Sequence, residues 1–349
     1  MKLVIGIESS CDDTCLGIID ENNKILCNFS ASQNESHIKY KGVVPEIAAR
    51  MHSKNISYLA KKAFDLFPIE NIKAIAATSG PGLIGGLITG TTFAKTLSSI
   101  LKIPFIGVNH LQAHALTIEI TNKEIQYPYL VLLASGGHCQ FIAVLGFDTY
   151  IVLGSTKDDS VGEVFDKLAI MMNLSYPGGP IIEKKAKNGR IKKYNMPKPM
   201  FNTKCCNMSF SGLKTHLKLL ISNLKELNEE IISDICACFQ HTIAYIFEKK
   251  CQNAIKTFNN ILIKKKIYPK KNYFVFSGGV ASNLFLRKRL QNSISNSGFN
   301  FLCPPVNLCT DNGAMIAYTG MRYFKANKFS DIKLKPMPKW HINQTKLNN

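Results

Sequence analysis

At 349 residues the chain is longer than one hydrophobic core usually organises, and a prior of ~150 residues per domain gives about two domains. Hydrophobic residues at 46% against 19% charged describe a core-building chain and exclude a disordered or collagen-like one. A formal net charge of +19, from 43 basic and 24 acidic residues, favours a polyanionic partner and leaves nucleic acid and a membrane surface both open.

The first thirty residues carry three short strands, 3–7, 16–20 and 24–29, joined by polar turns, which predicts a meander. Apolar spacing then predicts a helix over 45–67, a buried strand over 72–78, a helix over 85–101 and a strand over 103–108. The uncharged stretch 74–94 is long enough to span a bilayer, but five Gly, four Thr and a Pro make it strand, loop and buried helix instead. A second opening of the same kind begins at Tyr129, with strands in YLVLLA, HCQFIAVLG and TYIVLGS. Helices are expected over 161–172, 232–259, 281–294 and 312–325, and strands over 273–277 and 301–303.

Two halves that start alike argue for an α/β architecture built by internal duplication. The expected division is a domain over 1–125, a second over 126–335 and a loose basic tail over 336–349. Residues 184–204, with eight basic side chains and no acidic one, read as an irregular basic insertion. Eleven cysteines without a C-x-x-C exclude a disulfide framework and a zinc ribbon, and the N-terminal apolar run is too short for a signal peptide, so a reducing compartment is expected.

Several loops carry chemistry. Glu8-Ser9-Ser10-Cys11-Asp12-Asp13-Thr14 places hydroxyls and carboxylates in a turn after a buried strand, suited to phosphate or a metal. Ser135-Gly136-Gly137-His138, Tyr176-Pro177-Gly178-Gly179-Pro180 and Ser277-Gly278-Gly279 lie at strand or helix ends, where glycine admits close backbone approach and a helix N-terminus favours negative charge. His110 and His114 at i and i+4 share a helical face and can clamp one divalent ion, with Asp311 ahead of a helix as the third ligand. The spacing is that of a zincin helix, but Leu111 stands where a peptidase needs its Glu base, and no Walker-type phosphate loop occurs.

Taken together, GIESSCDDT, HIKYKGVVPEIAARMH, TSGPGLIGGL, NHLQAHAL, SGGH, GEVFDKLA, YPGGP, SFSGLKT, SGGVASN and CTDNGAM resemble the TsaD/Gcp family of tRNA N6-adenosine threonylcarbamoyltransferases, over residues 3 to about 320. The resemblance implies the duplicated actin-like ATPase fold (sugar kinase, heat-shock chaperone, actin; ASKHA), with two domains facing a central cleft. It implies transfer of the threonylcarbamoyl group from threonylcarbamoyl-adenylate to N6 of adenosine 37, 3′ to the anticodon of tRNAs reading ANN codons, giving t6A and AMP. Carried over motif by motif, His110, His114 and Asp311 bind a divalent metal, iron ahead of zinc, and ATP or AMP is a further candidate for the cleft. Leu133, Ala134, Ser135, Gly136, Gly137, Asp166, Gly179, Glu183 and Asn283 contact the adenylate, Asp166 and Glu183 through ribose hydroxyls.

No general base is named by the pattern; the candidates are Glu8, Asp12 and Asp13, none preferred. The chain departs from many relatives at Asp13 (Glu there), Lys41 (Gly) and Cys139 (Thr), and the first change shortens a carboxylate near the proposed site. The implied partners are tRNA, an adenylate-forming synthase and, in bacteria, the dimerising paralogue TsaB and the P-loop ATPase TsaE, with no membrane. The expected location is the cytoplasm, or an organellar matrix for an organellar member. The basic tracts 184–204, 264–271 and 287–289 are expected on tRNA phosphates. Two other readings are a non-catalytic nucleotide-binding scaffold, which should lack the His pair, and a metallopeptidase, which Leu111 disfavours.

Overall fold

The computed structural model describes every residue except Lys39, Lys41 and 346–349; the departure at Lys41 and the end of the expected tail therefore lie outside the described residues. The chain forms two compact units, one of 1–123, 147–149 and 310–349, the other of 124–146 and 150–309.

In the first unit β1 (Leu3–Glu8), β2 (Thr14–Asp20), β3 (Ile25–Ala31), β4 (Ile72–Gly80) and β5 (Phe105–Asn109) form a sheet ordered β3-β2-β1-β4-β5. The β1–β2–β3 pairings are antiparallel, as a meander requires, while β4 and β5 join in parallel through the helices Pro45–Leu66 and Ile84–Leu101. In the second unit β6 (Tyr129–Ala134), β7 (Cys139–Gly146), β8 (Thr149–Ser155), β9 (Tyr273–Ser277) and β10 (Asn300–Leu302) are ordered β10-β9-β6-β7-β8. Replacing each strand by its place within its own half gives the same order, so the internal duplication inferred from the two openings is a duplication of topology.

Side chains alternate along a strand, and β1 shows what each face meets. Leu3, Ile5 and Ile7 join Leu16, Ile18, Ile56, Leu59 and Ala94 in one core. On the opposite face Gly6 and Gly17 receive the helix Gly313–Lys325 so closely that a Cβ on Gly6 would stand 2.0 Å from Ala317 N. This contact corrects the expected boundary at 335: residues 310–349 belong with the first unit, because the glycine floor of β1 and β2 seats that helix.

The expected loose tail is likewise tied down as far as Thr345. Met337 N donates to Ser79 O (2.7 Å), Gly82 N to Pro338 O (3.2 Å), Asn109 Nδ2 to Trp340 O (3.1 Å), and Tyr323 Oη to Thr345 O (3.4 Å). Gly313→Ala should be strongly destabilising, since its Cβ would meet the main chain of Gly17 at 2.1 Å and no rotamer change relieves that; a loss of about 3 kcal/mol is expected in denaturant melts.

The second unit's core is organised by the helix Glu229–Lys265, longer at both ends than its apolar spacing marks and started by Asn228, whose side chain accepts from Ile231 N. Phe239, Phe247 and Phe258 from that helix pack with Phe141, Phe274 and Phe276 of the sheet. The basic stretch 184–204 is partly helical, since Gly178–Ala186 forms a helix reaching into it. The helix Ser211–Ser222 was not expected; Asp158 accepts from the first backbone N–H groups there, Phe210 N (2.7 Å) and Ser211 N (3.2 Å). Among the described residues no helix is long and apolar enough to cross a membrane.

Candidate functional site

In the first unit β5 ends at Asn109, whose side-chain oxygen accepts from Leu111 N (3.0 Å) and Gln112 N (3.2 Å) and so starts the helix His110–Leu116. The helical turn places His110 and His114 together, ring centroids 4.6 Å apart, and Asp311 joins them: Oδ1 lies 3.0 Å from His114 Nε2 and 3.7 Å from His110 Nε2. One ligand atom from each of the three lies within 4.8 Å of the others. The three residues singled out as metal ligands from sequence are thus side by side.

Glu8, considered as a base from sequence, sits beneath this cluster at the end of β1 and is 0% exposed. Its Oε1 accepts from Ser10 N (2.6 Å), and its Oε2 from Thr78 Oγ1 (2.5 Å) and from His110 Nδ1 (3.0 Å). Burial alone would raise the Glu8 carboxyl, but the charge and hydrogen bond of His110 outweigh it and hold it below its ordinary value. At His110 burial would lower the imidazole, yet Glu8 and Asp311 push it up to about 9, the mark of a negative field suited to a cation. With one proton held on Nδ1 by Glu8, a cation that displaces the other would meet the Nε2 lone pair on the side of Asp311, the arrangement of a carboxylate–histidine–metal relay.

Asp12 and Asp13 lie half-exposed in the turn after β1. Burial, then the neighbouring Asp12 and Asp311, pushes the Asp13 carboxyl up to about 7. The turn is held by the fully buried His52, whose Nε2 donates to Cys11 O (3.0 Å) and whose Nδ1 accepts from Thr14 Oγ1 (2.8 Å). Sequence reading missed Ser10, Thr78, Asn109 and His52 as supports. Asn directly before a helical His pair was a legible capping signal, whereas Thr78 and His52 come from distant strands and helices and carry no local signal.

In the second unit the residues expected on the adenylate lie at the C-terminal end of β6, on the two helices after β8 and, for Asn283, just ahead of the helix after β9. Leu133 and Ala134 close β6; Ser135 N then donates to His138 O (2.7 Å), and His138 N to Ser135 Oγ (3.1 Å), making a tight turn. At Gly136 and Gly137 in the turn after β6, and at Gly179 in the first turn of the helix Gly178–Ala186, an added Cβ would meet nothing within 4 Å, which leaves these places open to a ligand. Gly278, at φ +90°, brings the turn after β9 against Ala134, where a Cβ would stand 2.4 Å from its carbonyl oxygen.

The remaining candidates tie these loops together. Asp166, on the helix Val161–Met171, accepts from Gly178 N (2.8 Å). Glu183 Oε1 accepts from Leu284 N (2.8 Å) and Phe285 N (3.1 Å), across to the helix Leu284–Ser295. Asn283 caps that helix through Leu286 N (2.9 Å) and donates to Gln240 Oε1 (2.8 Å), a partner sequence reading did not name. Of the basic tracts expected on RNA, 287–289 is partly engaged within the chain: Arg287 donates to Pro304 O (2.8 Å) and Arg289 pairs with Glu248 (2.8 and 2.9 Å).

Comparison with known proteins gives one consistent result. The family model described as TsaD, tRNA N6-adenosine threonylcarbamoyltransferase, matches residues 24–318. The tRNA N6-adenosine threonylcarbamoyltransferase of Rickettsia rickettsii (strain Sheila Smith) is 52% identical over 344 residues, 98% of either chain. That of Rickettsia bellii (strain OSU 85-389) is 51% identical over 348 residues, 99% of this chain and 100% of the relative. Among solved structures, the Acidaminococcus fermentans (R)-2-hydroxyglutaryl-CoA dehydratase component A aligns over 94% of this chain and 100% of its own, with a TM-score of 0.51 and 15% identity. HypF of T. kodakarensis aligns over 93% of this chain and 48% of its own, with a TM-score of 0.57 and 14% identity. At such identities these two share the fold alone, the duplicated actin-like ATPase fold.

Proposed function

Because the chain belongs to the TsaD family of tRNA N6-adenosine threonylcarbamoyltransferases, we propose that it carries the threonylcarbamoyl group from threonylcarbamoyl-adenylate to N6 of adenosine 37 in tRNAs reading ANN codons, forming t6A and releasing AMP. The structural observation that supports this is the His110–His114–Asp311 cluster backed by Glu8, in a chain matched by these transferases over its length.

The cluster fits a resident metal by its donor chemistry: two imidazoles and one carboxylate, three ligands that leave coordination positions open, as catalytic sites do. Two His and one carboxylate serve both non-haem iron(II) sites and catalytic zinc sites, so the donor set suits either metal. Held by His110, His114 and Asp311, the metal would supply Lewis acidity toward the carbamoyl carbonyl.

The protein's own groups do the rest. Glu8 keeps a His110 proton on Nδ1; the turn at Gly136 and Gly137 and the helix start at Gly179 let main chain approach the adenylate; Asp166 and Glu183 offer carboxylate lone pairs to ribose hydroxyls. Leu133, Ala134, Ser135 and Asn283 shape the same loops. As N6 attacks the carbamoyl carbon, AMP leaves and the amine loses a proton. Glu8 spends its oxygens on Ser10, Thr78 and His110, which leaves Asp12 and Asp13 as the remaining candidates for that proton. The bacterial relatives support a cytoplasmic place for this reaction; an adenylate-forming synthase upstream, with TsaB and TsaE as partners, belongs to the same proposal. The scaffold reading is not favoured, and buried Leu111 between the histidines leaves a peptidase without its base.

The test is transfer: protein, synthase, threonine, bicarbonate, ATP and unmodified tRNA, with and without the partner proteins, and nucleosides read by mass spectrometry. Modified adenosine that depends on this chain is expected; none in either arm, despite adenylate formation and bound metal, would overturn the reading. In the same assay Asp166→Ala should raise the adenylate concentration needed by about tenfold or more, the scale of a lost charged hydrogen bond.

A further inference from the structure

Next along the chain from Asn283, and from its partner Gln240 on the helix Glu229–Lys265, the second unit carries a cluster of aromatic and cationic side chains that the proposed chemistry does not use. His241 packs its ring against Tyr245 (centroids 4.8 Å) and, at 6.4 Å, against Phe285. The Arg289 guanidinium lies 5.2 Å from the centre of the Tyr245 ring and 5.8 Å from that of Phe285, and Lys198 Nζ lies 5.9 Å from Tyr245. Tyr245 is 43% exposed and the neighbouring Leu284 60%. Lys192, Lys193 and Lys198, from the basic stretch 184–204, are exposed.

A core does not explain this composition. Arg289 is paired with Glu248, so its guanidinium serves as a flat surface against the rings and the lysines carry the free charge; an aromatic ring nearly half in water in such a setting is well suited to an unpaired base with its phosphates. Burial, with Arg289, Lys198 and Lys192 nearby, lowers the His241 imidazole, so at neutral pH it is a ring to pack against rather than a charge, while the lysines supply the charge. The net charge of +19 fits a polyanion.

We infer that Tyr245, with His241, Phe285 and Arg289 around it and Lys192 and Lys198 at its rim, is a stacking platform for the single-stranded anticodon loop of the tRNA, holding a nucleotide beside the one being modified. The inference rests on the proposed transferase function for the identity of the RNA, and it adds a specific contact to it.

The test is binding, not turnover: fluorescence anisotropy of a labelled, unmodified anticodon stem-loop with the full chain, in wild type, Tyr245→Ala, Tyr245→Phe and the double variant Lys192→Gln/Lys198→Gln. Tyr245→Ala should weaken binding about tenfold, the scale of one lost base stack, and Tyr245→Phe should restore it. The lysine variant should flatten the salt dependence by about 0.7 in log–log slope per contact removed, while Tyr245→Ala leaves the slope unchanged. Thermal melts and adenylate binding check that the fold is kept. Equal RNA affinity in wild type and Tyr245→Ala, or an equal loss for a duplex lacking the loop, would overturn the platform. Wild-type transfer, scored separately, bears on the transferase reading alone, so the two can fail independently.

Discussion

His114→Ala should purify without bound metal and lose t6A formation by about 10²- to 10³-fold, with the fold retained. His114 is 1% exposed and its Nε2 stands 3.0 Å from Asp311, so truncation removes one of three donors and leaves two that no longer surround an ion. The magnitude is that of deleting one preorganised electrostatic stabiliser of developing negative charge. Metal content by inductively coupled plasma mass spectrometry and t6A by nucleoside mass spectrometry are the readouts. Stripping wild-type protein with a chelator should reproduce the defect, and restoring iron(II) or zinc should reverse it for wild type but not for the variant. A variant that retains full transfer would remove the metal from the chemistry.

Much of this site was legible because its signals are local. His110 and His114 fall four apart after an Asn at a strand end, and one helical turn is enough to bring them together. Asp311 was legible through its motif, and its arrival at the pair depends on the helix Gly313–Lys325 packing onto the glycines of β1 and β2. That packing was not legible. Gly6 and Gly17 read as ordinary members of apolar strands, because nothing in the sequence around them records what approaches from residue 313. The expected boundary at 335 failed for that reason.

The duplication was legible for a different reason: two openings with the same run of apolar strands and short turns imply one topology used twice. Type and position alone left Glu8 level with Asp12 and Asp13 as a candidate base. Its burial, and the three donors that converge on it from Ser10, Thr78 and His110, come from three separate segments of chain.

Glu8→Gln separates a positioning Glu8 from a catalytic base. The amide matches the carboxylate in size but turns one acceptor into a donor, so it must face either Ser10 N or the pair formed by Thr78 and His110. If the NH2 faces His110, the imidazole accepts at Nδ1, its proton moves to Nε2, and the atom nearest Asp311 no longer has a lone pair for an ion. Metal affinity should fall about 10- to 100-fold, the usual scale for a lost carboxylate partner of a ligating histidine. Stability should fall by about 1–3 kcal/mol, as for a buried group left with a mismatched partner. The decisive readout is t6A formation as metal is titrated. A positioning Glu8 predicts that excess metal recovers most of the lost rate, because the defect lies in how well His110 holds the ion. A Glu8 that took the proton from N6 would leave the rate low at every metal concentration, and that result would return it to the role its place in the sequence first suggested.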